Sequence, residues 1–205
     1  MSRQAGEPDT VGEAGPLSAL TIEAEARRKA GRWAVLAAVA QIALVAVGAL
    51  YFPYLRNFLI AVGYGFILPA IAVIHVRSAP RRDSGAILGT IAGTSAVAMG
   101  LAGSVNVDLE PAALLLLGVW WWTTGKMAAE TRSLPAGFGV GTAAAGALAV
   151  AAAALAAFSS ASIAVLPAGL AVVVEQPYFA ISHAALGAWL LVLAVVFRTV
   201  DHAAR

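Results

Sequence analysis

Residues 118–146 read Gly-Val-Trp-Trp-Trp-Thr-Thr-Gly-Lys-Met-Ala-Ala-Glu-Thr-Arg-Ser-Leu-Pro-Ala-Gly-Phe-Gly-Val-Gly-Thr-Ala-Ala-Ala-Gly, and their order decides the fold. An apolar helix closes on a Trp triplet, a short basic turn follows around Arg132 and Pro135, and a helix made almost wholly of Gly and Ala begins. Indole rings favour the membrane–water boundary, and small residues let helices approach closely in lipid. The stretch is therefore a membrane hairpin.

Composition agrees. Hydrophobic residues make up 60% of the 205-residue chain and charged residues 12%, against roughly a quarter charged in soluble domains. Mean hydropathy is +0.84. The expected class is all-α: a polytopic six-transmembrane-helix bundle, with the lipid bilayer as its surroundings. The net charge of +2 serves topology and implies no nucleic acid partner. The chain has no Cys, which excludes disulfides, thiolate metal sites and a Cys nucleophile. Ala-rich composition with Lys only at positions 29 and 126 is associated with GC-rich bacteria, so the expected location is a bacterial cytoplasmic (inner) membrane.

Outward from the hairpin, six apolar segments lie at about 33–52, 57–76, 85–104, 110–127, 137–158 and 177–197. Each is near the ~20 residues needed to cross a hydrocarbon core. Residues 1–31 are expected to form a cytoplasmic tail, disordered to Leu17 and then a short charged helix on the membrane surface, with Glu23–Arg27 and Glu25–Lys29 paired at i,i+4. The domain at 32–198 holds the six spans, and 199–205 is a cytoplasmic C-terminal tail. No cleavable leader is read in the polar start.

Basic residues collect on the cytoplasmic side of membrane proteins. With the N-terminus inside, Arg3, Arg27, Arg28, Lys29, Arg32, Arg77, Arg81, Arg82, Lys126, Arg132, Arg198 and Arg205 are all cytoplasmic, and only Arg56 is outside. The outer loops carry Asp108, Glu110 and Glu175. Six crossings place both termini inside.

Three side-by-side indoles sweep too wide an arc to share one helix face, so at least one of Trp120, Trp121 and Trp122 points into the bundle. In span three Gly85, Gly89, Gly93, Ala96, Gly100 and Gly103 recur at three and four residues, a smooth face on which another helix must lie. Gly89, Gly93 and Gly100 would equally offer a docking face to a membrane protein partner. Span five, with Gly137, Gly141 and Gly146, is small all round and is expected to be central. Pro69 predicts a kink in span two, one turn from Gly63-Tyr64-Gly65.

Residues 159–176 contain two short apolar runs about Pro167-Ala168-Gly169 and are expected to fold back as a lid or re-entrant element over the outer mouth, the alternative being a surface helix that lies on the membrane as packing with no ligand. Pro177 then opens span six, with Glu175 at the positive helix end. Ionisable residues in a membrane interior mark function by default, so Glu175, Gln176 and His183, with Asn57 and Tyr64 of span two, are the candidate ligand-binding residues of an outer vestibule. Gln41, midway along span one, is assigned to a helix-to-helix hydrogen bond.

Catalysis has less support. Gly93-Thr94-Ser95-Ala96 and His183-Ala184-Ala185-Leu186-Gly187 resemble the Ser and His segments of rhomboid-type intramembrane proteases. Yet Ala follows the Ser, the Ser lies on span three, and no second-span His and Asn supply an oxyanion hole. A bis-His haem needs two His at one depth, which His75 and His183 do not offer, so no cofactor and no metal is expected. The Trp-rich span running into Arg132-Ser133-Leu134-Pro135-Ala136-Gly137-Phe138-Gly139 and a Gly/Ala helix resembles uncharacterised six-helix bacterial membrane families. The six-span plan is similar to the substrate-binding components of energy-coupling-factor transporters, which implies small-molecule binding and docking on small-residue faces. Binding or transport of a small molecule is thus the leading expectation, and a structural or accessory subunit the alternative.

Overall fold

The computed structural model describes residues 16–48, 52–80, 83–106, 109–163 and 168–199, and their side chains except at 16–20, 48, 83, 156–163 and 168–179. All regular structure among the described residues is helical: α1 (Pro16–Gly48), α2 (Pro53–Gly65), α3 (Leu68–Ser78), α4 (Asp83–Gly103), α5 (Glu110–Thr131), α6 (Ala136–Ile163) and α7 (Ala168–Thr199). Five segments are long and apolar enough to cross a membrane: Thr21–Val47, Pro53–Ser78, Ser84–Gly103, Ala136–Leu155 and Ala180–Thr199. The chain is thus a multi-pass membrane protein. The 22-residue α5 falls below that apolarity because Thr123, Thr124, Lys126 and the indoles dilute its Leu run.

Proline sets several helix starts. Pro53, Pro69 and Pro111 occupy the first turns of α2, α3 and α5, where a missing N–H is harmless. At Pro69 the same chemistry breaks the second span as the sequence predicts. The Gly65 carbonyl has no donor at residue 69, and α2 and α3 are separated by a turn at Phe66–Ile67. There the Ile67 N–H donates to the Tyr64 carbonyl at 3.1 Å and the Ala70 N–H to the Ile67 carbonyl at 2.9 Å. α5 ends where Arg132 adopts φ 52°, a left-handed conformation uncommon outside Gly, and buried Ser133 and Leu134 turn the chain into α6.

Two expectations about helix limits change. The charged lead-in is not a separate surface helix: α1 is one continuous helix of 33 residues, and the pairs Glu23–Arg27 (3.8 Å) and Glu25–Lys29 (2.8 Å) form on its first half. Of the stretch 159–176 expected to form a lid, α6 takes in the part to Ile163 and α7 the part from Ala168, while 164–167 lie outside the described residues. The run Ala171-Val172-Val173-Val174 lies within α7 and carries it past Glu175. Pro177 therefore sits inside α7, and Glu175 seven residues beyond its start.

In packing order the helices run α7, α1, α2/α3, α4, α5 and α6, each against the next. The expectation of a central span five is corrected: α6 packs chiefly on α5 and leaves Val140, Leu148 and Leu155 exposed. Its small residues serve one very close contact. A Cβ on Gly125 would lie 2.6 Å from the Gly139 carbonyl oxygen, and one on Gly146 2.6 Å from that of Gly118. Gly137 and Gly141, singled out from the sequence, face open space.

The Trp triplet divides as the helical arc requires. Trp120 and Trp121 are 1% and 3% exposed and Trp122 48%. Both buried indoles meet Trp189 of α7, with ring centroids 5.2 and 5.1 Å apart, and Phe138 stacks on it at 6.1 Å. The Trp189 Nε1–H donates to Thr142 Oγ1 at 3.0 Å, so one residue ties α7 to both α5 and α6.

Ion pairs fasten opposite ends of the bundle. Arg56, at the start of α2, donates to Glu110, at the start of α5, at 2.9 Å. At the other end Glu23 of α1 meets Arg77 of α3 at 3.5 Å.

Candidate functional site

The polar interior is built where α1, α2 and α7 meet. Gln41 is fully buried and His183 4% exposed, and the His183 imidazole and the Gln41 side-chain amide are hydrogen-bonded through Nδ1 and Oε1. With Nδ1 protonated the ring donates and the amide oxygen accepts. The other end of that amide, Nε2, is buried and has no hydrogen-bond partner among the described residues. It points at the α2 backbone, where a Cβ on Gly63 would lie 2.7 Å from it.

Small residues make the approach possible. α1 and α7 run antiparallel and touch at Gly187, whose Cβ would lie 3.2 Å from the Ala38 carbonyl oxygen and 2.8 Å from Ile42 Cγ1. Tyr64 stands on the third side, its ring edge-on to His183 with centroids 6.3 Å apart. The same ring fills the space that Gly100 leaves on α4. Directly after Tyr64 comes the helix break, and a Cβ on Gly65 would meet nothing within 4 Å. A buried donor without a partner among the described residues and a carbonyl without a helical donor thus lie on either side of Tyr64, and only the Gly65 position opens onto free space.

The residues predicted for a ligand site are only partly brought together. His183 and Tyr64 adjoin, whereas Asn57 is exposed on α2. Glu175 and Gln176 occupy backbone positions on α7 about two turns before His183, and their side chains lie outside the described residues, as does Asp108. Glu110, counted with the outer acidic residues, is the partner of Arg56. Gln41 is the residue that sequence reasoning left out of the site. It was visible as a lone amide in an apolar run, but its meeting with His183 depends on the first span packing against the last.

The face of α4 that carries Gly89, Gly93 and Gly100 is filled from within the chain. Thr123 and Thr124 lie against Gly89, Ile71 and Trp120 against Gly93, and Tyr64 against Gly100.

A second polar cluster lies lower on α3 and α4. His75 Nδ1 is 2.7 Å from Thr90 Oγ1, which itself donates to the Ala86 carbonyl at 2.8 Å. The imidazole N–H therefore donates to the Thr90 hydroxyl. The neighbouring crevice is lined by Thr124 and Met127 of α5 as well. Compared with family models, with curated proteins and with solved structures, the chain matches none.

Proposed function

We propose that this is a six-span protein that binds a small polar molecule at the His183–Gln41–Tyr64 centre, as a receptor or carrier. The observation behind the reading is the Gln41 Nε2 group, a buried donor without a partner among the described residues, beside a helix break. In a membrane interior an unmet polar group is costly, and broken helices at mid-membrane supply backbone groups to substrates in carriers. A ligand acceptor on Gln41 Nε2 and a ligand donor on the Gly65 carbonyl would complete both. The route in runs from the end that carries Arg56, Asn57, Glu175 and Gln176.

In this reading α5 is the sixth crossing. Its support is the burial of Trp120 and Trp121, the close α6 contact, and charged residues confined to its ends at Glu110, Lys126 and Glu130. Six crossings leave both termini on the side of the basic residues, the cytoplasmic one in a bacterial inner membrane. The chain lacks Cys, so single substitutions Ser104→Cys and Thr131→Cys can be labelled from either face of sealed vesicles. Labelling of both from the same face would overturn the sixth crossing.

The binding reading is tested by native mass spectrometry of the full chain released gently from its host membrane. A small molecule of defined mass and stoichiometry is expected on the wild type and on the Thr94→Ala control, and absent from Gln41→Leu. An adduct that persists in Gln41→Leu, or a wild type that carries none, would sink it.

A further inference from the structure

The antiparallel α1–α7 seam carries a feature that the central site does not use. At the end where α1 begins and α7 closes, Gly31 lies flush against α7, its Cβ position 3.5 Å from Phe197 Cβ and 3.6 Å from the Ala194 carbonyl oxygen. Residues advance by about 100° along a helix. For two antiparallel helices, the residues that follow a facing pair leave the seam on the same side. Arg32 follows Gly31 and Arg198 follows Phe197, and Arg28 lies one turn below Arg32 on that side. The three α-carbons stand within about 6 Å of one another along the helix axes, at 1.5 Å per residue. All three residues are exposed. None makes a direct ion pair among the described residues, and Arg28 acts on Glu25 only at longer range, the Glu25 carboxylate being paired with Lys29.

Their depth is as telling as their grouping. Arg32 adjoins Trp33, an interfacial residue type, and the apolar runs of both helices begin next to the arginines. On the same side of the seam, deeper in, Val39, Ile42, Leu191 and Val195 are exposed, an apolar track leading down from the charges. Guanidinium groups recognise phosphate through paired hydrogen bonds. A charged phosphate above and an acyl chain below is the chemistry of a phospholipid.

We propose that Arg28, Arg32 and Arg198 form a site for the phosphodiester headgroup of an anionic phospholipid, whose acyl chain lies along the α1–α7 seam. It stands independently of the ligand reading above.

The test uses the full chain in nanodiscs of mixed phosphatidylglycerol and phosphatidylcholine, with the lipid retained on release read by native mass spectrometry. The wild type should retain phosphatidylglycerol selectively. Arg28→Gln/Arg32→Gln/Arg198→Gln should lower that selectivity by about tenfold or more. The charge-matched variant Lys29→Gln/Lys126→Gln/Arg132→Gln removes exposed cations from other faces and should leave it unchanged. Equal loss in both variants would mean general surface attraction and would overturn the site. Competition by millimolar inorganic phosphate, with no dependence on the acyl chain, would assign the arginines to a free anion and also overturn it. Should the triple variant fail to insert, the wild type alone decides, because equal retention of the two lipids refutes the proposal.

Discussion

Gly125 and Gly139 face each other across the α5–α6 hairpin so closely that neither position can accept a Cβ without moving the other helix. A Cβ on Gly139 would stand 3.0 Å from the Gly125 carbonyl oxygen and 2.7 Å from the Ala129 amide nitrogen. One heptad away Gly118 and Gly146 repeat the relationship. Because the obstacles are backbone atoms, no rotamer change relieves them. Gly125→Ala and Gly146→Ala should each destabilise the protein by about 1–3 kcal/mol, the usual range for overpacking. Gly141→Ala, in open space, should be neutral or stabilising by up to about 1 kcal/mol through helix propensity. Unfolding midpoints in a mixed-micelle titration would check this, and equal effects at 125 and 141 would contradict it.

Arg56 and Glu110 join α2 to α5 at 2.9 Å, with side chains 28% and 22% exposed. Water still reaches the pair, so its coupling should be near the surface value, about 1 kcal/mol or less. A double-mutant cycle of Arg56→Gln and Glu110→Gln should show this, and the coupling should shrink as salt rises. A coupling that is zero at low salt would mean that the pair does not fasten this end.

These residues also show how far the sequence could be read. Arg56 stood out as the one basic residue that the charge rule assigns to the outer side, and Glu110 as an acidic residue assigned with it, yet their pairing requires α2 and α5 to share an end of the bundle. Periodicity located the apolar segments and the Pro69 break, because helix length and a missing N–H are local properties. It could not choose between Gly137, Gly139 and Gly141, since all lie in a helix that is small on every side and only the rotation of α5 selects one. The 159–176 stretch misled for a related reason: Ala168 and Gly169, read as part of a turn signal, lie inside α7 together with the apolar run that follows them, while residues 164–167 lie outside the described residues. Gln41 and His183 were each conspicuous, and their encounter is a tertiary fact.

Trp189 should be the most sensitive aromatic position. Its indole packs on Trp120, Trp121 and Phe138 and donates to Thr142. Trp189→Phe keeps most of the ring contacts but leaves the Thr142 hydroxyl without that donor, for a loss of about 0.5–1.5 kcal/mol. Trp189→Ala adds a cavity and should cost about 3–5 kcal/mol. Trp122→Phe, on the exposed face, should change stability by no more than about 0.5 kcal/mol. Unfolding followed by far-UV circular dichroism ranks the three, and a large effect at Trp122 would contradict the division of the triplet.

The Gln41–His183 hydrogen bond predicts non-additivity. Gln41→Leu removes the unpaired Nε2 donor, a gain, but strands the buried imidazole N–H, and His183→Leu strands the amide oxygen instead. Each single change should therefore destabilise by about 1–2 kcal/mol, since an orphaned buried group keeps its desolvation penalty. The double variant replaces both partners with apolar groups and should be less destabilised than the sum, by about 0.6–1.7 kcal/mol, the range for interhelical hydrogen bonds in lipid. This separates fold from function: the double variant should insert and fold while carrying no ligand. Strict additivity in the cycle would mean that the two side chains do not act as a pair, and would remove the centre on which the binding reading rests.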